Sequence, residues 1–151
     1  MANITTDRNL KAIGPGIDES GIVLSEVEAG DVVYDTGNDE YDLTSADYEG
    51  TAGVVLNQYP PEDDVIEADS GVKVRVTGVA IVETATGETV NSGDLVACAG
   101  SGKVKAISET AVTGVGGESA DGSLLSQAFS TAIGIAKTDA DGEEELVIKL
   151  M

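Results

Sequence analysis

Three observations predict a mainly β protein, a small β-barrel or β-sandwich with an extended N-terminal arm and at most one short helix. Short apolar runs rich in Val and Ile recur along the 151 residues, separated by Gly-, Asp- and Thr-bearing turn signals. In "GVKVRVTG", Val72, Val74 and Val76 alternate with Lys73, Arg75 and Thr77, the period-2 signature of a half-buried strand. Aromatic residues are confined to Phe129, Tyr34, Tyr41, Tyr48 and Tyr59. A core must therefore use small β-branched side chains, which suit thin sheets better than helical packing.

Residues 1–20 are polar, and Gly14-Pro15-Gly16 interrupts any regular element, so this segment reads as an extended arm and 21–151 as a single β domain. Strands follow at Ile22 to Val27, Asp31 to Tyr34 and Gly53 to Gln58. The acidic "DTGNDEYDLTSADYEG" reads as a long surface loop near 35–52. "YPPEDD" at 59–64 reads as a stiff connection, because the fixed φ of Pro60 and Pro61 cannot continue a strand. Further strands are expected at Val72 to Thr77, Val79 to Val82, Asp94 to Ala99, Lys103 to Ile107, Thr131 to Lys137 and Glu145 to Met151. Only "DGSLLSQAF", 121–129, has locally helical spacing. The cationic face of 72–77 is either a solvated face or a partner for the acidic first half or for a neighbouring subunit.

An internal echo links "EAGDVVYDTG" (28–37) with "NSGDLVACAG" (91–100). Turn chemistry accounts for it, since Gly accepts positive φ and Asp hydrogen-bonds locally before a strand. Duplication is the alternative.

Against 28 Asp and Glu stand 8 Lys and Arg, a formal net charge of −20 without any histidine. Residues 1–72 carry 17 acidic and 2 basic side chains. Such a charge argues against a nucleic-acid partner. It also predicts a working environment rich in salt, where the Debye length falls to roughly 3 Å at 1 M, and hence a halophilic source. Cys98 is alone within an apolar run and reads as a buried small hydrophobe. No apolar run approaches the roughly 20 residues of a membrane span, and the expectation is a soluble protein made in a cytoplasm.

The absence of histidine excludes Ser-His-Asp and Cys-His machinery and HExxH zinc sites within this chain. "GSGK", Gly100 to Lys103, approaches a phosphate-binding loop, yet Ala97 and Val104 stand where the pattern needs glycine and a hydroxyl. A hairpin bend is the better reading. "KTDADGEEELVI" places Asp139, Asp141 and Gly142 as a calcium loop would, but Lys137 and Ile148 occupy its first and twelfth positions, so it reads as a turn. No catalytic, cofactor-binding or metal-binding residue is assigned.

Taken together, "VKVRVTGVAIV", "GETVNSGDLVACAGSGKVKAI" and "AIGIAKTDADGEEELVIKLM" resemble the capsid cement, or head decoration, proteins of tailed viruses, the DUF2190-like group. The matching positions are Gly78, Val79 and Ala80; Gly93, Asp94, Leu95 and Val96; Ile133 to Ala136; and Gly142 with Val147 to Leu150. The likeness covers about half the chain, and the acidic first half departs from it. It implies a homotrimer without cofactor or membrane, assembled in the host cytoplasm, that sits on the outside of an icosahedral head and clamps neighbouring major capsid proteins. With the acidity, it points to a haloarchaeal virus. The apolar side chains of the arm, Ile4, Leu10, Ile13 and Ile17, then become the capsid contacts. Two other readings stand beside this one. "GETVNSGDLVACAGSGKVK" is similar to a lipoyl or biotinyl carrier hairpin, with Lys103 as the modified residue, and a halophilic surface adhesion module would share the composition.

Overall fold

The computed structural model describes residues 11–58, 65–107 and 129–151. Its strands are β1 (Ala12–Val23), β2 (Val27–Glu28), β3 (Val32–Gly37), β4 (Glu40–Leu43), β5 (Gly53–Gln58), β6 (Val65–Ile66), β7 (Gly71–Glu83), β8 (Thr89–Val90), β9 (Leu95–Gly100), β10 (Lys103–Ala106), β11 (Gly134–Ala136), β12 (Ala140–Asp141) and β13 (Glu145–Leu150). The nine-stranded sheet runs β1-β4-β3-β5-β7-β13-β11-β9-β10, with β12-β8 and β2-β6 as two-stranded additions. Both ends of the large sheet return to β7: β1 pairs along it, and Val104 of β10 bridges to Thr84 just beyond it. The outcome is sandwich-like rather than a closed barrel. The short helix expected at 121–129 lies outside the described residues except for Phe129, which is exposed. The stiff connection at 59–64 also lies outside them.

β7 is the spine. Val72 and Val74 enter one core with Val23, Val27, Val33, Tyr41, Val55 and Ile66, whereas Ala80 and Val82 enter a second with Val96, Cys98, Val104, Leu146 and Ile148. The alternation slips between them. Gly78 is left-handed (φ 105°), and a Cβ there would meet Pro15 O at 2.8 Å. Adjacent residues of β3 and β5 face different cores: Val32 and Val54 the second, Val33 and Val55 the first. Because successive strand residues point to opposite faces, this part of the sheet is a middle layer covered on both sides.

Two expectations from sequence are corrected. From Ala12 onward the N-terminal segment is a sheet strand and not a projecting arm: residues 12–22 pair antiparallel with 71–80 of β7. Gly14-Pro15-Gly16 does not end it. These residues form a bulge, with Gly14 at φ 66° and a register shift between Ile13 and Gly16, as an edge strand accommodates proline. Residues 35–52 are not one loop. β3 and β4 form a hairpin whose turn residues Asn38 (φ 56°) and Asp39 (φ 60°) are both left-handed, and the connection proper begins at Thr44.

The pairing scheme of the first half recurs in the second. β3 and β4 reappear as β9 and β10, each 63 residues on. Gly30 and Gly93, both at φ 96°, introduce them, and the carboxylates of Asp31 and Asp94 accept the amides of Glu28 (2.8 Å) and Asn91 (2.9 Å). Tyr41 lies parallel to Val23 as Val104 lies parallel to Thr84. Gly53 sits opposite Val33 as Gly134 sits opposite Val96. Val27 faces Ile66 as Val90 faces Ala140. The amides of left-handed Asp69 (φ 66°) and Glu143 (φ 65°) donate to Val23 and Thr84 respectively. Gly-Asp turn chemistry accounts for one of these matches but not for strand order and long-range register. The chain is two copies of one β unit, β1 to β7 and β7 to β13, with β7 closing the first and opening the second.

Candidate interaction surface

β1 contributes backbone pairing but little burial. From Ile13 to Ser20 every residue is exposed, Ile13 at 47% and Ile17 at 60%. Of the four apolar contacts expected from sequence, these two lie on one strand, and Ile4 and Leu10 lie outside the described residues. What fixes the strand is Arg75, itself only 5% exposed. Its Nε donates to Asp18 Oδ1 at 2.8 Å, and its Nη1 donates to the carbonyls of Gly14 (3.0 Å) and Val79 (3.2 Å), bracing the bulge. Of the readings open for the cationic face of 72–77, Arg75 fits the internal partner for the acidic first half.

The surface extends beyond β1. Ile22 (45%) and Leu24 (39%) are exposed where β1 meets β4, and the amide of Ile22 donates to Asp39 O at 3.0 Å. Exposed Asp35, Asp39 and Glu19 surround the hydroxyl end of buried Tyr41, whose Oη donates to Glu19 Oε1 at 3.4 Å. Burial first, then these carboxylates, push the phenol up to about 12. Sequence reading missed Ile22, Asp39 and Glu40 as surface neighbours. The only available signal was the Asn38-Asp39 turn, because the β1 to β4 pairing joins segments far apart in sequence.

Lys103 is at the hairpin bend, as its glycines suggested. Ser101 (φ 53°) and Gly102 (φ 73°) form the turn between β9 and β10. The ammonium folds inward, 3.0 Å from Glu83 and 3.5 Å from Asp31, in a small cleft also lined by Lys11, Glu28 and Glu145. Burial opposes its charge, but the hydrogen bond to Glu83 and the nearness of Asp31 outweigh it and raise its pKa. Asp31 shifts up as well, because burial of its carboxyl exceeds what the Glu28 amide and Lys103 return. A carrier lysine has to project from its turn to be modified, and this one is held by carboxylates. Lys105 is likewise engaged, 2.8 Å from Asp47 and over the Tyr48 ring at 4.6 Å.

Cys98 is buried, its Sγ accepting from the Glu49 amide at 3.0 Å and donating to Ala46 O at 3.2 Å, and burial raises its pKa. The segment resembling a calcium loop holds β12, the turn that follows it and the start of β13. Its carboxylates are engaged, Asp139 accepting the Ser92 amide (2.7 Å) and Asp141 the Thr89 hydroxyl (3.1 Å).

No protein-family model matches the chain, and no curated protein matches it in sequence. Among solved structures it is similar to the head fiber gp8.5 N base of bacteriophage phi29, with a TM-score of 0.55 and 14% identity, over 89% of this chain and 93% of that one. At this identity the likeness is one of fold.

Proposed function

We propose that this chain is a structural subunit of a tailed-virus head, docked on the outside of the capsid, where it stabilises contacts between major capsid proteins. The observation that carries the reading is the shared fold, over nearly the full length of both chains, with the base of a phage head fiber. The resemblance of its second half to head decoration proteins, seen in sequence alone, leads independently to the same class. Exposed Ile13 and Ile17 on a strand braced from beneath supply apolar surface of the kind a docking protein presents. In this reading the subunit is a homotrimer on a haloarchaeal virion and carries no catalytic residue.

The test uses virions and heads stripped of this protein. Antibody against the chain labels intact particles, and purified protein added in molar salt co-sediments with stripped heads. Ile13→Asp with Ile17→Asp lowers the bound amount at least about tenfold while the circular dichroism spectrum is unchanged, since neither side chain is buried. Unlabelled virions together with no co-sedimentation would refute the assignment.

A further inference from the structure

One of the two units carries a docked element, and the other carries its free counterpart. The β9–β10 hairpin of the second unit is packed against the first. Gly102 accepts the Val32 amide at 2.9 Å and donates to Thr44 O at 3.2 Å, the Tyr48 amide donates to Cys98 O at 3.1 Å, and Asp47 bridges to Ala99. Gly102 approaches so closely that a Cβ there would lie 2.7 Å from Leu43 Cδ1 and 2.9 Å from Asp31. Lys103 and Lys105 answer Asp31 and Asp47 of the first unit across this contact.

The equivalent hairpin of the first unit, β3–β4, has the same turn geometry, and residues 35–39 are exposed. Its charge is inverted. Asp39, Glu40 and Asp42 stand where Gly102, Lys103 and Lys105 stand in the docked copy. The Glu83–Lys103 ion pair corresponds to Ile22 beside Glu40, directly paired across β1 and β4, and no described lysine or arginine forms a salt bridge with Glu40. The free tip thus carries the carboxylates and an exposed isoleucine of an interface whose cations are missing.

We propose that the tip of the β3–β4 hairpin, residues 38–40 with Ile22, is a docking element for a basic protein surface, engaged as β9–β10 engages the first unit. A second copy of this chain is an unfit occupant. Its own equivalent of the Asp31 acceptor is Asp94, so a copy docked in register would set Glu40 against a carboxylate. A partner that brings lysine or arginine to both positions satisfies the two carboxylates and covers Ile22.

This partner assignment rests on the virion reading, and stripped heads in molar salt are the probe. Wild-type protein, Asp39→Lys with Glu40→Lys, and the milder Asp39→Asn with Glu40→Gln are titrated against them, with the melting temperature of each recorded. The lysine variant is expected to bind at least about tenfold more weakly, the amide variant to fall between, and all three to melt alike, because Asp39 is exposed, Glu40 is only half-buried and no described lysine or arginine forms a salt bridge with Glu40. Equal binding of wild type and lysine variant overturns the docking element and leaves the virion reading standing. Failure of wild type to bind overturns the docking element, and together with unlabelled virions overturns the virion reading as well. Weaker binding accompanied by an equal fall in melting temperature also overturns the proposal, since the charges would then be serving the fold.

Discussion

Tyr41 couples the acidic surface to the stability of the first core. Its ring packs among Val23, Val33 and Val74, while its hydroxyl lies among Glu19, Asp35 and Asp39. Below pH 10 the phenol is protonated in folded and unfolded chains alike. Between 10 and about 12 the unfolded chain releases the proton and the folded chain retains it, so stability fully present below 10 is lost as pH rises through that window. Lys103 and Lys105, both shifted upward, add to the alkaline loss with the same sign. Replacing Tyr41 by Phe is expected to remove a tyrosinate absorbance step near pH 12 and to flatten part of the fall in denaturant midpoint above pH 10. An unchanged alkaline titration would show that the carboxylates are not acting on this phenol. At this scale the sequence was informative about backbone and silent about partners. Gly100, Ser101 and Gly102 announced a bend around Lys103, but nothing near Lys103 named Asp31 or Glu83, because register brings them together from remote strands.

Among the elements, β13 and β1 contrast in what their removal would cost. β13 buries Leu146, Ile148 and Leu150 in the second core and pairs with both β7 and β11. At roughly 1.5–3 kcal/mol for each buried aliphatic side chain, its loss rivals the whole stability of an ordinary domain, about 5–15 kcal/mol. Deleting residues 146–151 is therefore expected to leave an unfolded or aggregated chain by circular dichroism; a cooperative thermal transition in the truncated protein would contradict this. Most strands were legible because alternation or β-branched runs mark them: 53–58 coincides with β5, and 72–77 with 79–82 fuse into β7. Two elements were illegible for a shared reason. β1 hides behind Gly14-Pro15-Gly16 and has no buried side chain before Val23, so it carries no hydrophobic period to read. β4 is a short Glu-Tyr-Asp-Leu strand whose one buried residue is Tyr41. Both are held by backbone pairing to neighbours that sequence cannot name, and the candidate surface lies where they meet. The duplication was half visible, since "GD" followed by two apolar residues exposed one turn of a correspondence otherwise carried by register alone.

For the molecule as a whole, charge is the governing quantity. Of the described cations, Lys11, Arg75, Lys103 and Lys105 are committed to carboxylates of the same chain, three of them in contacts that join the two units. What remains outward is largely anionic, on a chain of formal charge −20. Salt has two opposing effects on such a protein. It weakens the few ion pairs, of which the exposed ones are worth about 0–1 kcal/mol each, and it screens repulsion among many unpaired carboxylates. The second effect involves far more pairs and wins, so the melting temperature should rise with KCl. A net relief of about 3 kcal/mol would appear as roughly 6–12 °C for a chain of this size. Screening and salting-out of apolar surface both stabilise, but their concentration dependence separates them. The Debye length shortens from about 30 Å at 0.01 M to about 10 Å at 0.1 M and only 3 Å at 1 M, so a screening gain is steepest at low salt and then saturates. Preferential exclusion instead continues to grow with concentration, and sulfate exceeds chloride. Differential scanning calorimetry in KCl from 0.01 to 3 M, with potassium sulfate at matched ionic strength, should show an early steep rise common to both salts. A flat curve would remove the halophilic assignment. A rise appearing only in the molar range, larger in sulfate, would move the cause from the carboxylates to the exposed isoleucines of β1.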